Sequence, residues 1–263
     1  MFNQQNSNSS GNRFSQMFMK SGNPVLQDRA WESARELSGR GHMTVEGTAN
    51  KVILFLSIVI VFGAVGWNLV PQGAIGGSIG IVGAAMVGAL GLGLVIGFVP
   101  RLAKPLGWLY AVMQGLLLGG FSALLNARYP GIALQAAGLT ATVSIGMFFV
   151  YRTGVTRRYP MFWKVVSAMT LGIGLLYLVQ AVAVFGFGWS FPFIHDTGPM
   201  GIGFSLFVCA LASLNLCLDY HFIEQGEKLQ LPKDTEWYAA FGLTVTLCWL
   251  YFEILRLLAK LRE

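Results

Sequence analysis

The chain has 263 residues, of which 54% are hydrophobic and only 11% charged, whereas a soluble domain carries about a quarter charged residues. That balance excludes an ordinary water-soluble domain and points to a polytopic helical membrane protein. The net charge of +6 would suggest nucleic acid in a soluble protein, but here the basic residues flank apolar runs, so they report topology and no nucleic-acid partner is expected.

Residues 1–50 stand apart as a polar segment. MFNQQNSNSSGNRFSQ is low in complexity and is expected to be disordered in the cytoplasm. It lacks the charged start and apolar core of a signal peptide. PVLQDRAWESARELS, residues 24–38, can form one short surface helix with Val25, Leu26, Ala30, Trp31, Ala34 and Leu37 on one side.

Residues 51–263 are expected to form the membrane domain. Seven apolar runs fall at about 51–70, 74–99, 105–126, 131–151, 163–188, 199–222 and 237–260. Each is long enough to cross roughly 30 Å of hydrocarbon at about 1.5 Å per residue. The fold class is therefore all-α, a seven-transmembrane-helix bundle. Glycines at GxxxG spacing, Gly76/Gly80 and Gly93/Gly97 in the second run and Gly115/Gly119 in the third, hint at close helix approach. Cys209, Cys217 and Cys248 lie inside apolar runs, so they read as small hydrophobes and not as a disulfide or a metal site. No CxxC or HExxH spacing is present, and nothing pairs a nucleophile with a base; an enzyme is not expected.

Lysine and arginine set the orientation. Arg35, Arg40 and Lys51, then Arg101 and Lys104, then Arg152, Arg157, Arg158 and Lys164, then Lys228 and Lys233 fall on one side. The other side has Arg128 and the C-terminal Arg256, Lys260 and Arg262. The bias places the N-terminus in the cytoplasm. Seven crossings then put the C-terminus outside, where its three basic residues break the rule.

Ionisable groups at membrane depth are expensive and face the bundle interior or a water path. Two acids lie within the runs: Asp219, near the end of the sixth, and Glu253, late in the seventh. Gln114, Gln135, Gln180 and Asn215 are the uncharged polar company. Asn215 and Asp219 are four apart and share a helix face. Each has a plainer reading. Asp219 can be interfacial, Glu253 can pair locally with Arg256, and the glutamines can bond across helices as packing groups. His221 and Glu224 read as wetter residues that follow Asp219 into the cytoplasm. His195 and Asp196, in the outer loop WSFPFIHDTGP, are too few for a metal site.

LCLDYHFIEQG followed by EWYAAFGLTVTLCWLYFEILRLLAKL resembles the end of the Bax inhibitor-1 family, the transmembrane Bax-inhibitor-motif proteins, and its bacterial branch in particular. SGNPVL and MTVEGTANK before the first run agree, as do KPLGWLYAVMQGLLLGGFSAL in the third and RYPGIALQA before the fourth. The resemblance implies a last helix that is central and wrapped by the other six. It also implies a pH-sensitive calcium leak across what would be a bacterial inner membrane, with no cofactor and with Ca²⁺ as the permeating ion. In that family an acid at the end of helix 6 and one in helix 7 share a proton as the sensor; the matching positions are Asp219 and Glu253. The family's locking arginine lies within helix 2, but this second run has none before Arg101 at its end. Asp219 and Arg101 fall at one membrane face, so the two can pair. Asn215, Gln114 and Gln180 are supporting candidates. Membrane lipids, Ca²⁺ and protons are the expected partners. The alternative is a non-transporting membrane regulator that binds other membrane proteins or proteases through its first 50 residues.

Overall fold

The computed structural model describes residues 41–70, 75–154, 160–187 and 198–263. The expected surface helix over 24–38 and the loop residues His195 and Asp196 lie outside the described residues. Among the described residues seven α-helices follow one another: α1 (Val45–Leu69), α2 (Ile75–Phe98), α3 (Ala103–Arg128), α4 (Ile132–Arg152), α5 (Pro160–Phe187), α6 (Pro199–Lys228) and α7 (Thr235–Arg262). A single 3₁₀ turn, Pro100–Leu102, joins α2 to α3. The protein is an all-α, polytopic membrane protein. Six of these helices are long and apolar enough to cross a membrane, and α2 contributes the apolar stretch Val82–Phe98. Large apolar side chains such as Ile60, Phe98, Leu134, Phe149, Leu171 and Leu206 are exposed around the outside, as a surface solvated by lipid tails requires.

Successive helices run antiparallel. The starts of α1, α3, α5 and α7 therefore share one end with the finishes of α2, α4 and α6. This end is tied together by the ion pair of Lys104 with Asp234 at 3.2 Å and by a bond from the Val45 amide to Glu227 Oε1 at 2.9 Å. It also carries Lys51, Lys164, Lys228 and Lys233, the grouping that the charge pattern anticipates.

α7 packs against α1, α3, α4 and α6. Its buried residues include Ala239, Ala240, Leu243, Leu250 and Leu255 as well as Glu236 and Glu253. The rings of Phe55, Trp108 and Trp237 lock α1, α3 and α7 at the lysine-rich end, with centroids 5.6–6.1 Å apart. Tyr110 meets Phe241 at 4.9 Å and Phe121 meets Phe252 at 4.8 Å further along. The Ser122 and Tyr251 hydroxyls bond at 2.7 Å.

Among the described residues, the glycine spacing is realised on α3. A methyl built on Gly119 would lie 1.9 Å from the Gly63 carbonyl oxygen, and one on Gly115 would lie 2.6 Å from that of Val59. These glycines let the backbones of α1 and α3 touch. Gly80 and Gly97 of α2 have nothing within 4 Å, and Gly93 meets only the Tyr110 ring at 3.6 Å. The side chains around Gly76 lie outside the described residues.

Of the helix limits that differ from the apolar runs, three bear on the site. α1 begins at Val45 because Thr44 caps it, accepting a hydrogen bond from the Gly47 amide at 3.0 Å. α6 continues past residue 222 to Lys228, since a helix can leave the hydrocarbon without ending. α7 starts at Thr235, which brings Glu236 into its first turn. Hydropathy marks where lipid stops, and hydrogen bonding decides where the helix stops.

Candidate functional site

Asp219 lies nine residues inside the α6 terminus, so it is not at the helix end. At about 1.5 Å per residue that is about 13 Å from Lys228. Its carboxylate faces α7: a methyl on Gly242 would sit 3.9 Å from Oδ1, and one turn further along α7 the Thr246 hydroxyl donates to the Gly242 carbonyl at 3.2 Å. Oδ2 is buried and has no hydrogen-bond partner in the protein.

One turn earlier on the same face, Asn215 is buried and fixed. Its amide nitrogen donates to Thr170 Oγ1 on α5 at 2.7 Å and to the Leu211 carbonyl at 2.8 Å. Further along α7, Glu253 is fully buried. Its Oε1 accepts from the Tyr177 hydroxyl at 2.8 Å and from Trp249 Nε1 at 3.3 Å. Arg256 Nη2 lies 3.3 Å from Oε2 and donates to the Tyr177 hydroxyl at 2.9 Å. The guanidinium also lies 5.4 Å from the centre of the Tyr177 ring. A seam of spaced polar groups thus runs along α5, α6 and α7: Asp219, then Asn215 with Thr170, then Glu253 with Tyr177 and Arg256, with the apolar Ile173, Val208 and Leu211 packed among the same helices.

Asp219 and Glu253 share this seam but do not meet. Glu253 is eleven residues beyond Gly242 on α7, about 16 Å along the axis. Tyr177 and Arg256 occupy Glu253 where a shared proton would require Asp219. The local pair with Arg256 is present, and α5 completes it. Arg101 sits exposed in the 3₁₀ turn at the lysine-rich end. Gln114 is half-buried on α3 and Gln180 is buried on α5.

His221 and Glu224 do not run out into water. His221 stacks on Trp163 with centroids 4.3 Å apart, and its Nδ1 is 3.5 Å from the Tyr151 hydroxyl. Tyr151 also donates to Glu224, whose other oxygen accepts from Lys228. The extra turns of α6 keep both residues packed against α4 and α5.

The C-terminal basic residues are tied into the protein. Lys260 is buried and donates to the Gly201 carbonyl at 3.0 Å. Arg262 donates to the Pro130 carbonyl at 3.1 Å and to Gln135 Oε1 at 2.7 Å. Arg128 lies 3.6 Å from the Glu263 side chain. Their departure from the charge pattern reflects internal partners: a cation already satisfied by protein need not be held by the cytoplasm.

One acid escaped the reading of the runs. Glu236 is fully buried at the start of α7. Its carboxylate accepts from the Thr44 amide at 3.0 Å and the Thr44 hydroxyl at 3.1 Å, and it is paired with Lys51. Lys233 lies 3.7 Å away. Lys51 also stands 5.1 Å from the centre of the Trp237 ring. The preceding strap is held by backbone bonds from Met43 to Leu231 at 2.7 Å and from Lys233 to Gly41 at 3.1 Å. MTVEGTANK is therefore the receptor for the acid of EWYAAFG. The available signal was the pairing of those two stretches; hydropathy carried none, because Glu236 falls just outside the apolar run.

No curated protein and no solved structure matches the chain. A family model does: Bax inhibitor 1 like, over residues 23–263. With that match spanning every described helix, and with acids in α6 and α7 facing one interhelical seam, this chain belongs to the Bax inhibitor 1 like family.

Proposed function

We propose that the protein is a proton-gated leak for cations, with Ca²⁺ as the permeating ion, and neither an enzyme nor a cofactor carrier. In this reading it lies in a bacterial inner membrane with the lysine-rich end in the cytoplasm. The observation that carries the reading is Asp219: a carboxyl at membrane depth whose Oδ2 is buried without a partner. A neutral acid tolerates that position. A charged one demands a cation, water or a donor. Raising the pH ionises Asp219 and favours an open, hydrated seam. Lowering it neutralises the group and lets α6 and α7 close dry.

Calcium prefers several oxygen ligands. Asp219 and the Thr246 hydroxyl supply a few, which suits passage better than storage. Asn215 and Glu253 extend the same path, although Glu253 begins paired with Arg256. The deciding measurement is Ca²⁺ entry into liposomes containing purified protein, compared between acidic and neutral pH. Asp219→Asn should flatten the profile. Unchanged pH dependence in that variant would discard Asp219 as the gate.

The regulator reading has one observation in its favour. The strap Gly41–Thr44, which follows the polar N-terminal segment, is bonded to the α6–α7 connection. A partner bound to that segment would thus act on α7. Pure protein that passes no ions at any pH would favour this alternative.

A further inference from the structure

Besides Asp219 Oδ2, three buried polar atoms have no hydrogen-bond partner among the described residues: Ser205 Oγ, Glu253 Oε2 and Arg256 Nε. Their proximity follows from the antiparallel register of α6 and α7. Lys260 reaches Gly201, Cys209 lies within electrostatic reach of Glu253 and Arg256, and Asp219 faces Gly242. That register sets Ser205 level with Arg256.

Ser205 is unusual among the hydroxyls of this protein. Thr140, Thr170, Ser213 and Thr244 each donate to the carbonyl four residues back, at 2.7–2.8 Å, the common way for a hydroxyl to satisfy itself in a helix. The carbonyl that Ser205 would use is that of Gly201, and Lys260 occupies it. Arg256 is similarly committed. Tyr177 takes one of its Nη2 protons, and Nη2 lies 3.3 Å from Glu253 Oε2 without the alignment of a hydrogen bond. Nε is left without a partner among the described residues.

We propose that Ser205, Glu253 and Arg256 bind one buried water molecule, which accepts from Arg256 Nε–H and donates to Glu253 Oε2 and Ser205 Oγ. Such a water has three partners, the usual number for one buried in a protein, and it satisfies all three orphan atoms together. The chemistry favours water over an ion. A cation is repelled by Arg256 and by Lys260 one turn away, and an anion is repelled by Glu253. The Arg256 side chain is 16% exposed, so the site is not sealed from the protein surface. Glu253 then has an exchangeable proton partner besides Tyr177 and Trp249, and Ser205 becomes a positioning residue for that water.

The test is an experimental structure of the full chain in lipid nanodiscs at a resolution that shows ordered water. A density peak within about 2.7–3.2 Å of all three atoms is expected. Ser205 bonded to the Gly201 carbonyl with Arg256 Nε directly on Glu253, and no peak between, would overturn the site. Infrared spectroscopy gives a second measurement in solution, with the Glu253 band identified by its loss in Glu253→Gln. Ser205→Ala should shift that band, and Ser205→Thr, which keeps a hydroxyl, should restore it. A band unmoved by Ser205→Ala would overturn the proposal. Neither measurement involves ion flux, so the water site is judged separately from the leak.

Discussion

Gly47 of α1 lies directly beneath the Glu236 carboxylate of α7: a methyl at Gly47 would stand 2.5 Å from Oε1. Gly47→Ala must therefore push the acid off Lys51 and Thr44. Overpacking of this kind costs about 1–3 kcal/mol. Thermal unfolding in detergent should show a lowered midpoint. An unchanged midpoint would mean that the start of α7 shifts freely and that the clamp is loose.

Removing the cation instead of the space makes a stronger test. Lys51→Met leaves Glu236 buried with Thr44 and the more distant Lys233. Breaking a buried pair from one side costs about 3–5 kcal/mol, and the remaining partners put this case at the low end. Glu236→Gln in the Lys51→Met background should recover part of the loss, because the uncompensated charge is gone. Two independent, additive losses would contradict the pairing.

Asp219 and Glu253 should behave as separate groups. Asp219 faces Gly242, which lies about 16 Å along α7 from Glu253, so the effects of Asp219→Asn and Glu253→Gln on stability should add within about 0.5 kcal/mol. On flux, Asp219→Asn should remove the pH response, whereas Glu253→Gln should act by freeing Arg256 and Tyr177. A double variant no worse than either single one would restore the shared-proton sensor that the family resemblance implies.

Asn215 and Thr170 form a third testable pair. Hydrogen bonds between membrane helices are worth about 0.6–2 kcal/mol. A double-mutant cycle of Asn215→Ala and Thr170→Val should return a coupling energy in that range. Zero coupling would mean that the 2.7 Å contact adds nothing to the α5–α6 interface.

The glycines separate by position. Gly119→Ala places a methyl against the Gly63 carbonyl and should markedly lower both the yield and the unfolding temperature of the purified protein. Gly80→Ala and Gly97→Ala meet nothing within 4 Å and should be neutral or stabilising by up to about 1 kcal/mol, the helix-propensity difference. Equal damage at all three would mean that α2 is packed in the membrane against something beyond this chain.

The seven helices were legible because each is a long apolar run, and the two intramembrane acids stood out because charge is rare there. Their partners were not. Tyr177 looks like any aromatic of a membrane helix, and only the fold brings it to Glu253 from 76 residues away. Glu236 and its receptor are separated by up to 192 residues, and no local period connects them. The GxxxG spacing occurs in α2 and α3 alike, yet only the α3 glycines meet a neighbouring backbone. Spacing records what a helix permits, and the neighbour decides whether it is used.

The distribution of charge along α7 bears on the order of assembly. Glu236, Glu253, Arg256 and Lys260 would each cost about 2.5–3.5 kcal/mol at the centre of a lipid-exposed helix. Their partners Thr44 and Lys51, Tyr177 and Gly201 come from the start of α1, from α5 and from α6. A helix so charged is thus poorly suited to wait alone in the bilayer and well suited to a bundle that already exists. A chain ending before Thr235 should integrate its earlier helices, while α7 offered alone to the insertion machinery should pass through or stay outside. The earlier helices then act as a scaffold that admits the seventh, and biogenesis of the protein becomes a question of when that slot opens.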